Sequence, residues 1–254
     1  MKTSAIIRII IFSVLFFVLL GILLGGLCLT NFIYTEPSGE NTVLERKVDA
    51  EEFSSLEIDW AAGSVTIGRT PDHDNIIIRE VKDSNNSYTM STEFDDSTLM
   101  ISYGASKLNL GNLTSKDLVI LVPSYWDCTQ LEINGAALNI DINGVDIHTL
   151  EINGASNQLT FNGELNDLSV EGAANTMDVN ITKGLSRVNI EGMGCKLDLL
   201  LPSNLGFDTN LSGLGISFQS SLKYSKEGNR YFYGNKACKI DVSGLGCQLS
   251  VDPS

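Results

Sequence analysis

The chain has 254 residues and a formal net charge of −14. So acidic a protein lacks the basic surface needed to displace counterions from nucleic acid, and nucleic acid is excluded as an expected partner. Its charge suits a soluble exterior and the attraction of cationic peptides or metal ions.

Residues 1–8 carry Lys2 and Arg8 and read as a cytoplasmic tail. From Ile9 to Leu29 no residue is charged, and at about 1.5 Å per residue such a helix can cross a hydrocarbon core of about 30 Å. A transmembrane signal-anchor is therefore expected over 9–33. Its flanking charges put the N-terminus inside and the rest outside, a single-pass protein of the cell membrane with an extracellular C-terminal domain. Residues 34–50, with Pro37, Ser38, Gly39 and Asn41, read as a polar stalk.

Residues 51–125 read as an atypical N-terminal β part. LEIDWAAGSVTI, from Leu56, has apolar residues at alternate positions on both sides of Trp60, the pattern of two half-buried strands joined at a bend. The runs Ile76–Val81, Tyr88–Phe94, Leu99–Tyr103 and Leu118–Val122 suit antiparallel hairpins.

Residues 126–254 repeat one motif. Segments beginning at Leu131, Leu150, Leu168, Val188, Thr209 and Ile240 align on Gly135, Gly154, Gly172, Gly192, Gly213 and Gly244. Apolar residues recur four and two positions before the glycine and five and seven after it, with Thr209 and Ser220 in the copy around Gly213 as the departures. Each repeat is thus two short strands meeting at a corner, with the glycine permitting a backbone closed to other residues or a close backbone approach. The second residue after the glycine is always small, as a crowded corner would require. Successive glycines lie 19, 18, 20, 21 and 31 residues apart, which predicts an all-β fold with a β-solenoid ectodomain, each coil pairing with the next.

The apolar N-terminal segment, the early LEIDWAAGSVTI, the run ending in Val122 and Pro123, and the NGA-type repeats together resemble a Gram-positive, membrane-anchored β-strand-repeat family labelled "putative adhesin". The resemblance covers roughly Phe53 to Val251. It implies adhesion at the level of fold and carries no functional residue over.

Catalytic chemistry has little support in the sequence. His73, between Asp72 and Asp74, reads as a solvated loop, and His148 lies far from it. Asp141, Asp146, Asp167, Asp178 and Asp198 could hold calcium, with Lys183, Arg187 or Lys196 as bases, if the chain were a polysaccharide-active enzyme on a β-helix. Outward polar positions account for them more simply. Asn157 and Asn175, both three residues after a corner glycine, are expected to form an amide ladder. Cys195 and Cys247 share that position too. With Ile216 on a rung between them, they should stand about 9.6 Å apart and remain free thiols.

No catalytic, cofactor or metal site is expected. The chain reads as a non-enzymatic, membrane-anchored extracellular interaction module, adhesin-like or an accessory of the cell envelope, with the polysaccharide enzyme as the alternative. Its expected partners are the membrane and an envelope protein, a glycan or a cationic peptide.

Overall fold

Alternation of buried and exposed residues governs the strands. In β9 (Leu138–Asn143), Leu138, Ile140 and Ile142 are buried while Asn139, Asp141 and Asn143 face solvent. Each fully buried aliphatic side chain of this kind contributes about 1.5–3 kcal/mol. The computed structural model describes residues 41–254 except 84–85, 87 and 105–113.

Two parallel runs of strands carry the repeats. The first consists of β8 (Cys128–Ala136), β10 (Ile147–Ala155), the later halves of β11 (Gln158–Ala173) and β12 (Thr176–Met193), then β18 (Cys238–Leu245) and finally β14 (Phe207–Leu214). The second consists of β9, the earlier halves of β11 and β12, β13 (Lys196–Leu201), β19 (Gln248–Pro253) and β15 (Ser217–Gln219). Their buried residues form one hydrophobic cluster.

Toward the N-terminus, β2 (Ser55–Trp60) pairs in parallel with β8, and β3 (Gly63–Thr70) with β9. Outside them lie β6 (Thr98–Ser102) on β2 and β7 (Lys116–Pro123) on β3, both again parallel. Only β4 (Asn75–Asp83), β5 (Ser91–Asp95) and β1 (Asn41–Asp49) are antiparallel there, on β7, β6 and β4 respectively. The expected hairpins are thus half right in direction, and the stretch read as stalk contains a paired strand. At the far end β17 (Arg230–Tyr233) is antiparallel to β14, and β16 (Ser225–Glu227) to β17.

All of these strands belong to one 19-stranded sheet, curled into a half-barrel, and the expected β-solenoid is corrected accordingly. Two features explain the difference. β11 and β12 pass from one run to the other without a break, so the two runs are parts of one bent sheet. A solenoid also stacks its coils in chain order, whereas β18 and β19 enter between β12/β13 and β14/β15.

The expected tail and the anchor over 9–33 lie outside the described residues. Among the described residues, no helix is long and apolar enough to cross a membrane. The single-pass, extracellular placement therefore has no support in the structure and is not retained.

Candidate interaction surface

The corner glycines occupy one register column, in the order Gly135, Gly154, Gly172, Gly192, Gly244, Gly213. A Cβ at Gly172, where φ is +133°, would stand 1.7 Å from the Gly154 carbonyl oxygen. Backbone approach therefore admits no side chain there. Two positions later the cause is different. A Cβ at Gly194 would meet nothing within 4 Å, but φ is +64°, and Ala137, Ser156 and Ala174 share this left-handed conformation at φ 57°, 60° and 56°. The expected crowding is replaced by a conformational requirement. It lets each of these N–H groups donate across to the neighbouring corner, as Ala174 does to Met193 O at 2.7 Å.

The third position closes the corner from inside. Buried Asn157 donates Nδ2 to Gly135 O at 3.2 Å and accepts from Leu138 N at 3.0 Å. Asn175 repeats this toward Gly154 O, at 3.1 Å, and Asn157 N, at 3.0 Å. They bind backbone and form no mutual amide ladder. Stacked amides occur instead on the second run, where Asn162 Nδ2 donates to Asn143 Oδ1 at 3.1 Å and Asn180 Nδ2 to Asn162 Oδ1 at 2.9 Å. Cys195 and Cys247 take the same inner role, their Sγ atoms donating to Gly172 O and Gly192 O at 3.7 and 3.5 Å.

The expected spacing between these cysteines is overturned. Lys196 pairs with Gln248 and Met193 with Leu245, so the two thiols are on adjacent rungs and nothing separates them. Cys128, Cys195, Cys238 and Cys247 are all free and buried. Desolvation pushes Cys128 and Cys238 up to about 12.

Other sequence candidates are dispersed. Asp178 and Asp198 are register neighbours, but Asp198 pairs with Lys196, and Thr160 stands between Asp178 and Asp141. Asp146 pairs with Arg69 at 3.1 Å and Lys183 with Glu164 at 3.2 Å. Asp167 lies beside Arg187. His148 Nδ1 is 2.8 Å from Asn166 Nδ2, well apart from His73. Asp72, whose Oδ1 accepts from Asp74 N and Asn75 N and whose Oδ2 pairs with Lys47, falls to about 2, chiefly through the Asp74 backbone bond. Among the described residues, no group of three or more His, Cys, Asp or Glu is placed to hold a metal ion.

The solvent-facing side of the first run gathers carboxylates and amides. Glu57, Glu132 and Glu151 are consecutive register partners, about 4.8 Å apart along the stack. In the next column Asn134 Nδ2 donates to Asp59 Oδ1 and Asn153 Nδ2 to Asn134 Oδ1, each at 3.0 Å. Glu171 and Glu191 continue that column. Partial burial raises the Glu57 carboxyl, with Asp59 and Glu132 adding repulsion; burial followed by Glu132 and Glu171 does the same to Glu151.

A second polar cluster, which sequence reading missed, is internal. Lys116 Nζ lies 2.5 Å from Glu80 Oε1, with both side chains fully buried. It also donates to Tyr103 O at 2.7 Å and sits 3.8 and 4.8 Å from the Tyr103 and Trp60 ring centroids. Trp60 Nε1 donates to Lys116 O at 3.0 Å, and Met90 N to Glu80 Oε1 at 3.0 Å. Burial lowers the Lys116 pKa and Glu80 opposes that shift. Enclosed in this way, the amine joins β7 to Glu80 of β4 and to the Tyr103 carbonyl that follows β6.

No protein-family model and no curated protein matches the chain. Similar solved structures include a "putative cell adhesion protein" from Clostridium sporogenes, 17% identical, covering 85% of this chain and 100% of that one, with a TM-score of 0.49. A "putative adhesin" from Bacteroides fragilis is 11% identical over 86% and 99% of the two chains, with a TM-score of 0.38. A "putative lipid binding protein" from Parabacteroides distasonis is 10% identical over 86% and 98%, with a TM-score of 0.33. The resemblance drawn from sequence is narrowed to this: structures similar to the chain are described as adhesins, and membership of a Gram-positive membrane-anchored family does not follow.

Proposed function

We propose that the chain is a non-enzymatic interaction module that binds a cationic partner, such as a basic peptide segment, through the outer face of its first strand run. The observation that carries this reading is the in-register column Glu57, Glu132 and Glu151. Like charges directly opposite one another on a sheet cost about 0.2–1 kcal/mol per pair, and here Glu132 adds its repulsion to the burial that raises the Glu57 and Glu151 carboxyls. A cationic ligand relieves that repulsion when it binds, so the face is less stable alone than when occupied.

The test is titration of the full chain with an oligolysine probe by calorimetry. Binding should weaken with ionic strength. Changing Glu57, Glu132 and Glu151 together to Gln should weaken it by about tenfold, roughly 1.4 kcal/mol. Unchanged affinity in that variant sinks the reading, and so does release of unsaturated sugar from an acidic polysaccharide.

A further inference from the structure

Beyond a cationic partner, the two ends of the first strand run point to another copy of this chain. At one end β5 pairs with β6, and among the described residues no strand lies beyond it. At the other end β16 pairs with β17, and again no described strand follows. Both edge strands are exposed over most of their length. An open strand edge presents unpaired N–H and C=O groups that favour pairing with another chain.

The two edges differ in charge. β5 and the turn after it carry Glu93, Asp95 and Asp96 and no cation of their own, while Arg46 of β1 donates to Thr92 Oγ1 at 2.6 Å near the start of the strand. β16 and the residues before it carry Lys223 and Lys226 against Glu227, and behind them stand Arg230, paired with Asp208, and Lys236. In a chain of net charge −14, this is a local reversal of sign. Charge on an edge strand ordinarily blocks edge-to-edge pairing. With opposite signs, each edge repels its own kind and attracts the other.

Strand direction agrees. β6 and β14 are linked through an unbroken parallel series, β5 opposes that direction, and β16, two antiparallel steps from β14, shares it. Copies stacked head to tail in one orientation would therefore bring β16 of one against β5 of the next in antiparallel register, prolonging the sheet. Each end also offers exposed apolar area beside its charges, Phe94 at 54% on β5 and Tyr224 at 37% just before β16.

We propose that the chain self-associates end to end through β5 and β16, a heterologous contact that does not close on itself and so extends into an open chain of copies. Sedimentation of the full chain in neutral detergent, which accommodates its apolar N-terminal segment, should show association that rises with protein concentration and falls with ionic strength. Glu93→Lys with Asp95→Lys should weaken it about tenfold, and so should Lys223→Glu with Lys226→Glu. An equal mixture of the two variants should restore it, because their reversed edges are again complementary. A native chain that stays monomeric overturns the proposal, as does a mixture that fails to recover association when both variants melt like the native chain. Should either variant fold poorly, Asp95→Cys mixed with Lys226→Cys supplies the readout: a disulfide-linked dimer formed under oxidised glutathione supports the contact, and none overturns it.

Discussion

The middle of the sheet and its N-terminal end are held together by different means. From β10 to β13 each rung uses the same devices: a corner glycine under a neighbouring carbonyl, a left-handed residue two places on, and a buried Asn or Cys reaching back to the previous corner. Around β3, β4 and β7 those devices give way to a single buried ion pair, Lys116 with Glu80, boxed by Trp60 and Tyr103. Repetition lets one small backbone solution be used many times. An end must instead be closed by side chains that occur once.

Substitution at Gly172 strikes the repeated device. Gly172→Val needs a disfavoured backbone and drives its Cβ into the Gly154 carbonyl, 1.7 Å away, so a loss above about 4 kcal/mol is expected. Chemical denaturation should find the domain unfolded or nearly so. A midpoint equal to the native one would mean that the corner can open without cost.

At the N-terminal end, Lys116→Ala leaves Glu80 buried without its counterion, and about 3–5 kcal/mol should be lost. Lys116→Met with Glu80→Leu should recover much of that loss, since a well-packed apolar pair often replaces a buried ion pair without penalty. If the double variant were no more stable than the single one, the end would depend on charge itself and not on filling the space.

The smallest effect separates fold from surface. Glu132→Gln removes the charge between Glu57 and Glu151 and should stabilise the protein by about 0.2–1 kcal/mol at neutral pH. Because the Glu57 and Glu151 carboxyls are raised in the folded state, their favourable contribution is complete below the ordinary carboxylate range and is lost as pH rises through their folded values. Acidification toward the ordinary carboxylate range should therefore raise this contribution to the melting temperature, and less so in Glu132→Gln. Asp72 acts oppositely, its contribution fading as pH falls from the ordinary carboxylate value toward about 2.

The alternation of Ile140 and Ile142 with Asp141, and the column of corner glycines, could be read directly from the sequence because the period repeats them. The neighbours of each rung could not. β14/β15 and β18/β19 carry the same motif, and nothing in a motif says which copy adjoins which. That is why Ile216 was expected between Cys195 and Cys247 when the two lie on adjacent rungs. The Lys116 and Glu80 pair was missed because single charged residues read as surface. Their phase held a signal: Glu80 continues the buried alternation of Ile76 and Ile78, and Lys116 that of Leu118 and Ile120. The acidic face was equally hidden, since Glu57 and Glu132 are 75 positions apart in the chain and meet only through strand pairing.

Intercalation of β18 and β19 also constrains how the protein can be made. A ribosome delivers β12, β13, β14 and β15 before the strands that separate them. Until residues 238–253 emerge, β12/β13 and β14/β15 each hold out a parallel edge whose partner does not yet exist. Growth rung by rung behind the moving ribosome can proceed no further than β13, and the last part of the sheet closes only once residues 238–253 have emerged. During that interval the nascent protein is most exposed to pairing with the wrong strand, its own or a neighbour's.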